Sequence, residues 1–272
     1  MGGSASYRYG KKISEARANG ATEQEIAELE RRRQDAIARE KAMRAGVKAK
    51  AENQIKNHTD RDEVRRLFSS QKTPLGEPIP DRSTPEHVER FSQQFDTAQD
   101  REPEITSAVQ QLADKLGMPL QGFDFRKKGL KSAVRKYNDD LEKDDNPSLN
   151  DLVRFTHDVK HETFGDDVNR ALQAYKDSGF EIMKVKNYWE KDDNPYNGIN
   201  VNMRTPNGQV IEVQFHTKDS LDVKENQMHK IYEEMRLFPE GSPEYNKLNE
   251  QSWEISRRQE KPVGVNKIKN YP

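Results

Sequence analysis

The run VIEVQFHT, residues 210–217, constrains the fold more than any other stretch of the chain. Glu212, Gln214 and His216 alternate with Val213 and Phe215, so in an extended strand the three polar side chains leave on one face and the apolar ones on the other. An acid, an amide and an imidazole on one face suit the wall of a cleft better than open water, while the opposite face needs a core to cover it. Three further β-like runs, residues 152–155, 180–185 and 199–203, alternate with helical stretches, and the PNG turn at Pro206, Asn207 and Gly208 joins the run 199–203 to the run 210–215 as a hairpin. The pattern predicts an α+β fold, a mixed central β-sheet of about five strands flanked by helices.

The N-terminal part is of another character. Residues 23–43 are rich in Glu, Arg, Lys, Gln and Ala, with a thin apolar line at Ile26, Leu29, Ala36, Ile37 and Met43, and read as a long solvated helix. Residues 1–66 hold 16 Lys plus Arg against 11 Asp plus Glu, whereas the totals of the chain, 46 and 47, nearly cancel. Overall charge therefore gives no general attraction to nucleic acid or to a membrane, and the local excess marks either a charged helical arm or an RNA contact. Pro74, Pro78, Pro80 and Pro85 crowd the segment TPLGEPIPDRSTP, where missing donors and fixed φ disfavour helix and central strand. That segment is expected to be a linker, which divides the chain into a helical, partly flexible region with its linker, 1–82, and a main domain, 83–272.

At the start of the main domain Ser83 or Thr84 can cap a helix with Pro85 in its first position and Phe91 and Phe95 on one face. A second helix is expected from about residue 102 to 116, with Ile105, Val109, Leu112 and Leu116 at helical spacing and Gly117 then Pro119 as its stop. Two more are expected at about 220–237 and 242–258. Charged residues are 34% of the chain and hydrophobic ones 32%, so one core does not use all of it. The absence of cysteine excludes a disulfide scaffold, a thiolate metal site and a cysteine nucleophile. No run approaches the roughly 18 apolar residues of a membrane span, and MGGSASYRYGKK has no apolar core of a Sec signal.

Four segments carry candidate chemistry. FRKKGLKSAVRKY sets Arg126, Lys128, Lys131, Arg135 and Lys136 around Ser132, a density of cations that a triphosphate would satisfy and that otherwise forms a solvated basic helix face. On the strand 210–215, Glu212 is a candidate magnesium ligand. Magnesium takes one or two carboxylates and completes its shell with substrate phosphates, so a second carboxylate is wanted, and Asp151 in LNDLVRFT either supplies it or serves as a turn residue. KNYWEKDDNPYNGINVN offers Tyr188, Trp189 and Tyr196 as flat surfaces beside Lys186, for stacking a base or for packing a loop edge. KENQMHKIYEEMR places His229 and Tyr232 one helical turn apart, with Lys224 upstream.

In this order the segments resemble the synthetase domain of the RelA/SpoT family, alarmone synthetases with a nucleotidyltransferase-like mixed sheet, over about residues 105–237. The family's Arg-x-Lys, Ser and Arg-Lys elements, which bind the ATP donor, are matched by Arg126, Lys128, Ser132, Arg135 and Lys136. Its Lys-Asp-Tyr is similar to Lys186, Asn187 and Tyr188, its Glu-x-Gln to Glu212, Val213 and Gln214, and its late His-x-x-Tyr to His229 and Tyr232. In the acceptor loop only Tyr196 is retained: Pro195, Gly198 and Asn200 stand where the family has Gly, Ser and His, which leaves the acceptor base open. Asp151 precedes Arg154 by three residues, closer than in the family, so Asp151 is kept and Arg154 given less weight.

The resemblance implies transfer of the β,γ-pyrophosphate of ATP to a ribose hydroxyl of a purine nucleotide. Asp151 and Glu212 would hold Mg2+, with Gln214 beside them. Lys186, Tyr188, Tyr196, Asn200, His216 and His229 would receive the acceptor. The closest character is that of diverged toxin or phage-associated members, with no hydrolase module in these 272 residues. It therefore also implies action in the bacterial cytoplasm, delivery by a specialised secretion system or phage, and an immunity protein or antitoxin as partner. The alternatives are pyrophosphate transfer to RNA such as the tRNA 3′ end, and a non-catalytic binding or phage module with the same fold.

Overall fold

The structure is a computed structural model that describes residues 5–37, 58–191 and 193–271. The chain divides into two compact units, Met1–His58 and Thr59–Pro272. In the first, helix α1 (Ala5–Ala18) and a second helix, α2 (residues 23–37), are joined by a turn in which Gly20 takes a φ of 75°, the left-handed region that glycine reaches without strain. Ile13 and Ile26 are buried, and Arg17 reaches Glu30 at 3.1 Å. The helix expected over 23–43 is seen as far as residue 37; Met43 and the remainder lie outside the described residues.

The second unit begins at Thr59, not at the expected boundary after residue 82. Helix α3 (Arg61–Ser69) presents Val64 and Phe68, both fully buried, and Phe68 meets the rings of Phe91 and Tyr137 edge-on at 5.7 and 6.1 Å. The proline-rich stretch is part of this unit too. It turns at Gly76, pairs Lys72 with Pro78, and is tied down by the buried Asn138 amide, which accepts from Arg82 N–H and donates to Pro80 O.

Helix α4 (Pro85–Leu116) is capped by Thr84, closed by Gly117 at φ 66°, and continuous where two helices were expected. Pro103 lies inside it, yet Phe91, Phe95, Ala98, Glu102, Ile105, Val109, Leu112 and Leu116 form one buried line in alternating steps of four and three, running unbroken across the proline. Burial of that whole stripe outweighs the lost backbone hydrogen bond, roughly 3 kcal/mol in an isolated helix interior.

The sheet has the order β1-β2-β5-β4-β3, formed by β1 (Leu120–Gln121), β2 (Arg154–Asp158), β3 (Glu181–Asn187), β4 (Ile199–Arg204) and β5 (Val210–His216). Central β5 runs parallel to β2 and antiparallel to β4, and the hairpin at Pro206–Gly208 joins β4 to β5 as expected. The strand expected at 152–155 begins two residues later. The fold is thus α+β with a five-stranded mixed sheet flanked by α4, α5 (Leu130–Asp140), α6 (Phe164–Asp177) and α9 (Pro243–Arg258). Phe155, Val201, Met203, Ile211, Val213 and Phe215 are buried on one face of the sheet, where they belong to the main core with α4 and α6, and the buried His157 ring stacks on Phe215.

Candidate active site

The other face of the sheet is polar. Period two along β5 puts Glu212, Gln214 and His216 there. The ladders align them with Arg154, Thr156 and Asp158 of β2, and set Asn202 against Glu212 and Asn200 against Gln214 from β4. Lys186 of β3 lies opposite Asn200.

Side-chain amides organise this floor. Glu212 Oε1 accepts from Asn200 Nδ2 at 3.1 Å and its Oε2 from Gln214 Nε2 at 2.8 Å. Gln214 Oε1 accepts from Lys224 Nζ at 3.0 Å, and Asn200 Oδ1 from the Tyr196 hydroxyl at 2.8 Å. The same hydroxyl lies 2.8 Å from His216 Nε2, and His216 Nδ1 lies 2.9 Å from Ser220 Oγ. Burial, reinforced by the Glu212 charge, pushes the Tyr196 phenol well above its ordinary value. Burial, reinforced by the cations of Lys224 and Arg154, holds the His216 imidazole well below its own, so the ring is neutral. Gly198 is required here, because a Cβ would stand 2.6 Å from His216 Cε1 and 2.7 Å from the Tyr196 hydroxyl.

Lys224 owes its place to the helix after β5. α7 (Lys218–Val223) passes into a π-helical turn, Lys224–Met228, before α8 (His229–Met235), where one continuous helix was expected. The wider turn re-aims its first residue, a recurrent feature of functional helices. Lys224 is mostly buried and also pairs with Glu225 at 3.1 Å; desolvation lowers its pKa, and the nearby Arg154 adds to this.

The lysine-rich segment flanks the other side of β2. Lys127 bridges to Val153, and Arg154 N–H donates to Arg126 O at 2.7 Å, so residues 126–128 extend the edge of the sheet. Asp151 receives Lys128 Nζ at Oδ2 and Lys136 Nζ at Oδ1, both at 2.9 Å. Burial alone would raise the Asp151 pKa; the two ammonium groups overturn that and hold the carboxyl below its usual value. Arg126 is braced by the buried Glu102 at 2.6 Å, by Phe123 O at 3.1 Å, and by the Phe123 ring 4.3 Å below its guanidinium. Ser132 is exposed and Arg135 half-buried on the solvent side of α5, with no hydrogen bond or ion pair among the described residues.

A cavity of about 1020 Å3 opens over the floor between β2, the loop 193–196, the α7–α8 segment and α9. Arg154, Thr156, Tyr196, Lys224 and His229 line it, with Phe125 and Tyr232 exposed at its walls. Tyr188 stands behind Tyr196, ring edge to ring face at 5.0 Å, with Lys186 and Lys191 6.0 and 5.3 Å from its centre.

The residues singled out in the sequence therefore fall into two groups on either side of β2. Lys128, Lys136 and Asp151 make one ion-paired cluster; Glu212, Gln214, Asn200, Tyr196 and His216 make one hydrogen-bonded network. No bond joins Asp151 to Glu212, although Glu212 N–H donates to Val153 O, two residues from Asp151. Two of these residues lie deeper than the wall of a cleft. His216 is fully buried, with both ring nitrogens engaged beneath Tyr196. Gln214 is only 4% exposed and is bonded to Glu212 and Lys224. Asn187, the neighbour of Lys186, points to the other face and holds Val265 O and Ile268 O.

Sequence reasoning undervalued Arg154. The parallel register places it directly opposite Glu212, half-buried, with no ion pair or hydrogen bond from its side chain among the described residues. Its position on the polar face follows from alternation with the buried Phe155 and His157, a signal present in RFTHD. Ser220 and the buried Glu102 had no local signal.

Among the described residues no group of three or more His, Asp or Glu side chains is arranged to hold a metal. For magnesium, which asks for fewer protein ligands, the oxygen-only pair of Glu212 and Asp151 fits in chemistry, provided that Lys128 and Lys136 release Asp151.

No protein-family model matches the chain, and no curated protein matches it. Among solved structures, the chain is similar to one in the crystal structure of the complex between the Type VI effector Tas1 and its immunity protein, with 23% identity and a TM-score of 0.44 over 63% of this chain and 98% of that one. It is also similar to smu.1046c from Streptococcus mutans UA159, with 15% identity and a TM-score of 0.38 over 64% of this chain and 90% of that one.

Proposed function

We propose that residues 59–272 form an ATP-dependent pyrophosphokinase that transfers the β,γ-pyrophosphate of ATP to a ribose hydroxyl of a purine nucleotide. The observation that carries the reading is the juxtaposition on one floor of a half-buried carboxylate, Glu212, and an unpaired guanidinium, Arg154, between a lysine-rich helix and an aromatic-walled cavity. Phosphoryl chemistry asks a protein mainly for cations that hold phosphates in line and a surface that holds the acceptor, and these two sides supply them.

In this reading Arg126, Lys128, Ser132, Arg135 and Lys136 take the triphosphate. A polyanion competes for Lys128 and Lys136, and as they turn to phosphate they release Asp151. Asp151 and Glu212 would hold Mg2+, which when bound would supply neutralisation of the charge developing between the β and α phosphates. Tyr196, Tyr188, Lys186 and His229 receive the acceptor, with Asn200 holding Tyr196 in place. The acceptor hydroxyl oxygen bonds to the β phosphorus, the bond from that phosphorus to the oxygen shared with the α phosphate breaks, and AMP leaves. The hydroxyl proton passes to Glu212 or to water.

Unchecked transfer drains ATP and acceptor, so the same reading makes the protein a growth-inhibiting toxin or effector of the bacterial cytoplasm, neutralised by an immunity protein or antitoxin. No helix among the described residues is long and apolar enough to cross a membrane. The test is incubation of the purified protein with ATP, Mg2+ and, separately, GDP, GTP, ADP, AMP and tRNA, with mass spectrometry of each acceptor. A nucleotide that gains two phosphates as AMP appears supports the reading; tRNA as the one acceptor moves it to the RNA alternative; no transfer to any acceptor by folded protein overturns it.

A further inference from the structure

The network beneath the cavity has a direction. Lys224 carries only donors, so Gln214 must turn Oε1 to it and its amide hydrogens to Glu212. An ionised Glu212 accepts only, so Asn200 likewise presents its amide hydrogens to Glu212 and its carbonyl oxygen to Tyr196. The single Tyr196 proton is then committed to Asn200. His216 Nε2, 2.8 Å from that hydroxyl oxygen, must carry a hydrogen, and in a neutral ring Nδ1 is bare. Ser220 completes the line by donating to Nδ1, while its oxygen accepts from Thr217 N–H at 3.0 Å. Each member has one partner arrangement left once Glu212 and Lys224 are in place.

We infer that His216 and Ser220 are positioning residues for the site: a directed relay, Ser220 to His216 to Tyr196 to Asn200 to Glu212, fixes the cavity-lining tyrosine and the carboxylate as one unit whose sense is set by the negative charge of Glu212. That the carboxylate takes part in transfer rests on the function proposed above; the direction of the relay does not.

The relay predicts its own reversal. In Glu212→Gln the side chain keeps its shape but has one acceptor end. Gln214, still locked by Lys224, claims that end, so residue 212 turns amide hydrogens on Asn200. Asn200 must flip, Tyr196 must donate to His216 Nε2, and His216 must carry its hydrogen on Nδ1 and give it to Ser220. Ser220 can pass its own to Thr217 O, 3.2 Å away. His157 is an internal reference: its Nδ1 faces Met118 O at 3.0 Å and its Nε2 the Tyr175 hydroxyl at 2.8 Å, so it holds the Nδ1–H form in both proteins.

Long-range proton–nitrogen NMR spectra of histidine-labelled protein decide this, with the His216 signals assigned by their loss in His216→Gln. Nε2–H in the unmodified protein and Nδ1–H in Glu212→Gln is the expected result. Nδ1–H in the unmodified protein, or the same tautomer in both, overturns the relay. A second arm reads position: Ser220→Ala should lower kcat about tenfold and leave KM for ATP unchanged, and equal kcat would refute the positioning role. If the unmodified protein transfers no pyrophosphate, the functional proposal falls while the tautomers still decide the relay.

Discussion

The two faces of the one sheet are held in place by different physics. On the core side Phe155, Val201, Ile211, Val213 and Phe215 fill space, and each contact is replaceable by another of similar shape. On the cavity side Glu212, Gln214, Asn200 and Tyr196 are held by hydrogen bonds of fixed sense, where a partner of similar shape but opposite donor character breaks the arrangement. The same strand, β5, serves both. The apolar face therefore confers stability with tolerance, and the polar face confers geometry with little tolerance.

Adjacent residues of β5 test this contrast most strongly. Phe215→Ala should destabilise the unit by roughly 3–5 kcal/mol through the lost contacts and the cavity left behind. Gln214→Ala should cost about 1–3 kcal/mol, because it leaves Lys224 and Glu212 short of partners. Urea midpoints of the two variants compare them, and a larger loss for Gln214→Ala would reverse the assignment of roles.

Acid separates the faces next. Burial lowers the His157 pKa from 6.5 to about 4, with the hydrogen bond to Met118 O opposing. The unfolded chain therefore takes up the proton first. The stability that neutral His157 contributes is complete above pH 6.5, is lost as pH falls toward 4, and amounts to about 3 kcal/mol over that range. Stability measured at pH 7 and 4.5 should fall less in His157→Gln than in the unmodified protein; an equal fall would show that this ring does not titrate on unfolding.

A smaller effect probes the fit of the polar face. Gly198→Ala puts a Cβ 2.6 Å from His216 and 2.7 Å from the Tyr196 hydroxyl, and should destabilise by about 1–3 kcal/mol while disturbing the cavity wall. Unchanged stability, together with an unchanged Tyr196 ring signal, would mean that the contact is loose.

The apolar face was legible in the sequence because alternation alone generates it. So was the membership of the polar face, since the period that buries Val213 and Phe215 sends Glu212, Gln214 and His216 the other way. Depth was not. Period two places His216 on the cavity side without revealing that Tyr196 and Ser220 close over it, because those come from the loop 193–198 and from α7. Arg154 was given little weight for a related reason: its place depends on the parallel register with Glu212, and register between strands whose paired residues lie 58 apart is set by the whole sheet. Lys224 depended on a π-helical turn, which disturbs the 3.6 period that reveals a helix. The two helices expected before Gly117 are one, since the buried stripe continues unbroken on both sides of Pro103. The domain boundary moved to Thr59 because four prolines read as a linker whether or not the chain before them packs, and Val64 and Phe68 show that it does.

The central claim is that the polar face carries out pyrophosphate transfer through Glu212. The most direct measurement is AMP release from ATP and Mg2+ with each nucleotide acceptor, for the unmodified protein and for Glu212→Gln, at equal folded fraction. The account predicts an acceptor that gains two phosphates in step with AMP, and a fall in kcat on the order of 10²–10³ in the variant. Full activity in Glu212→Gln would contradict it.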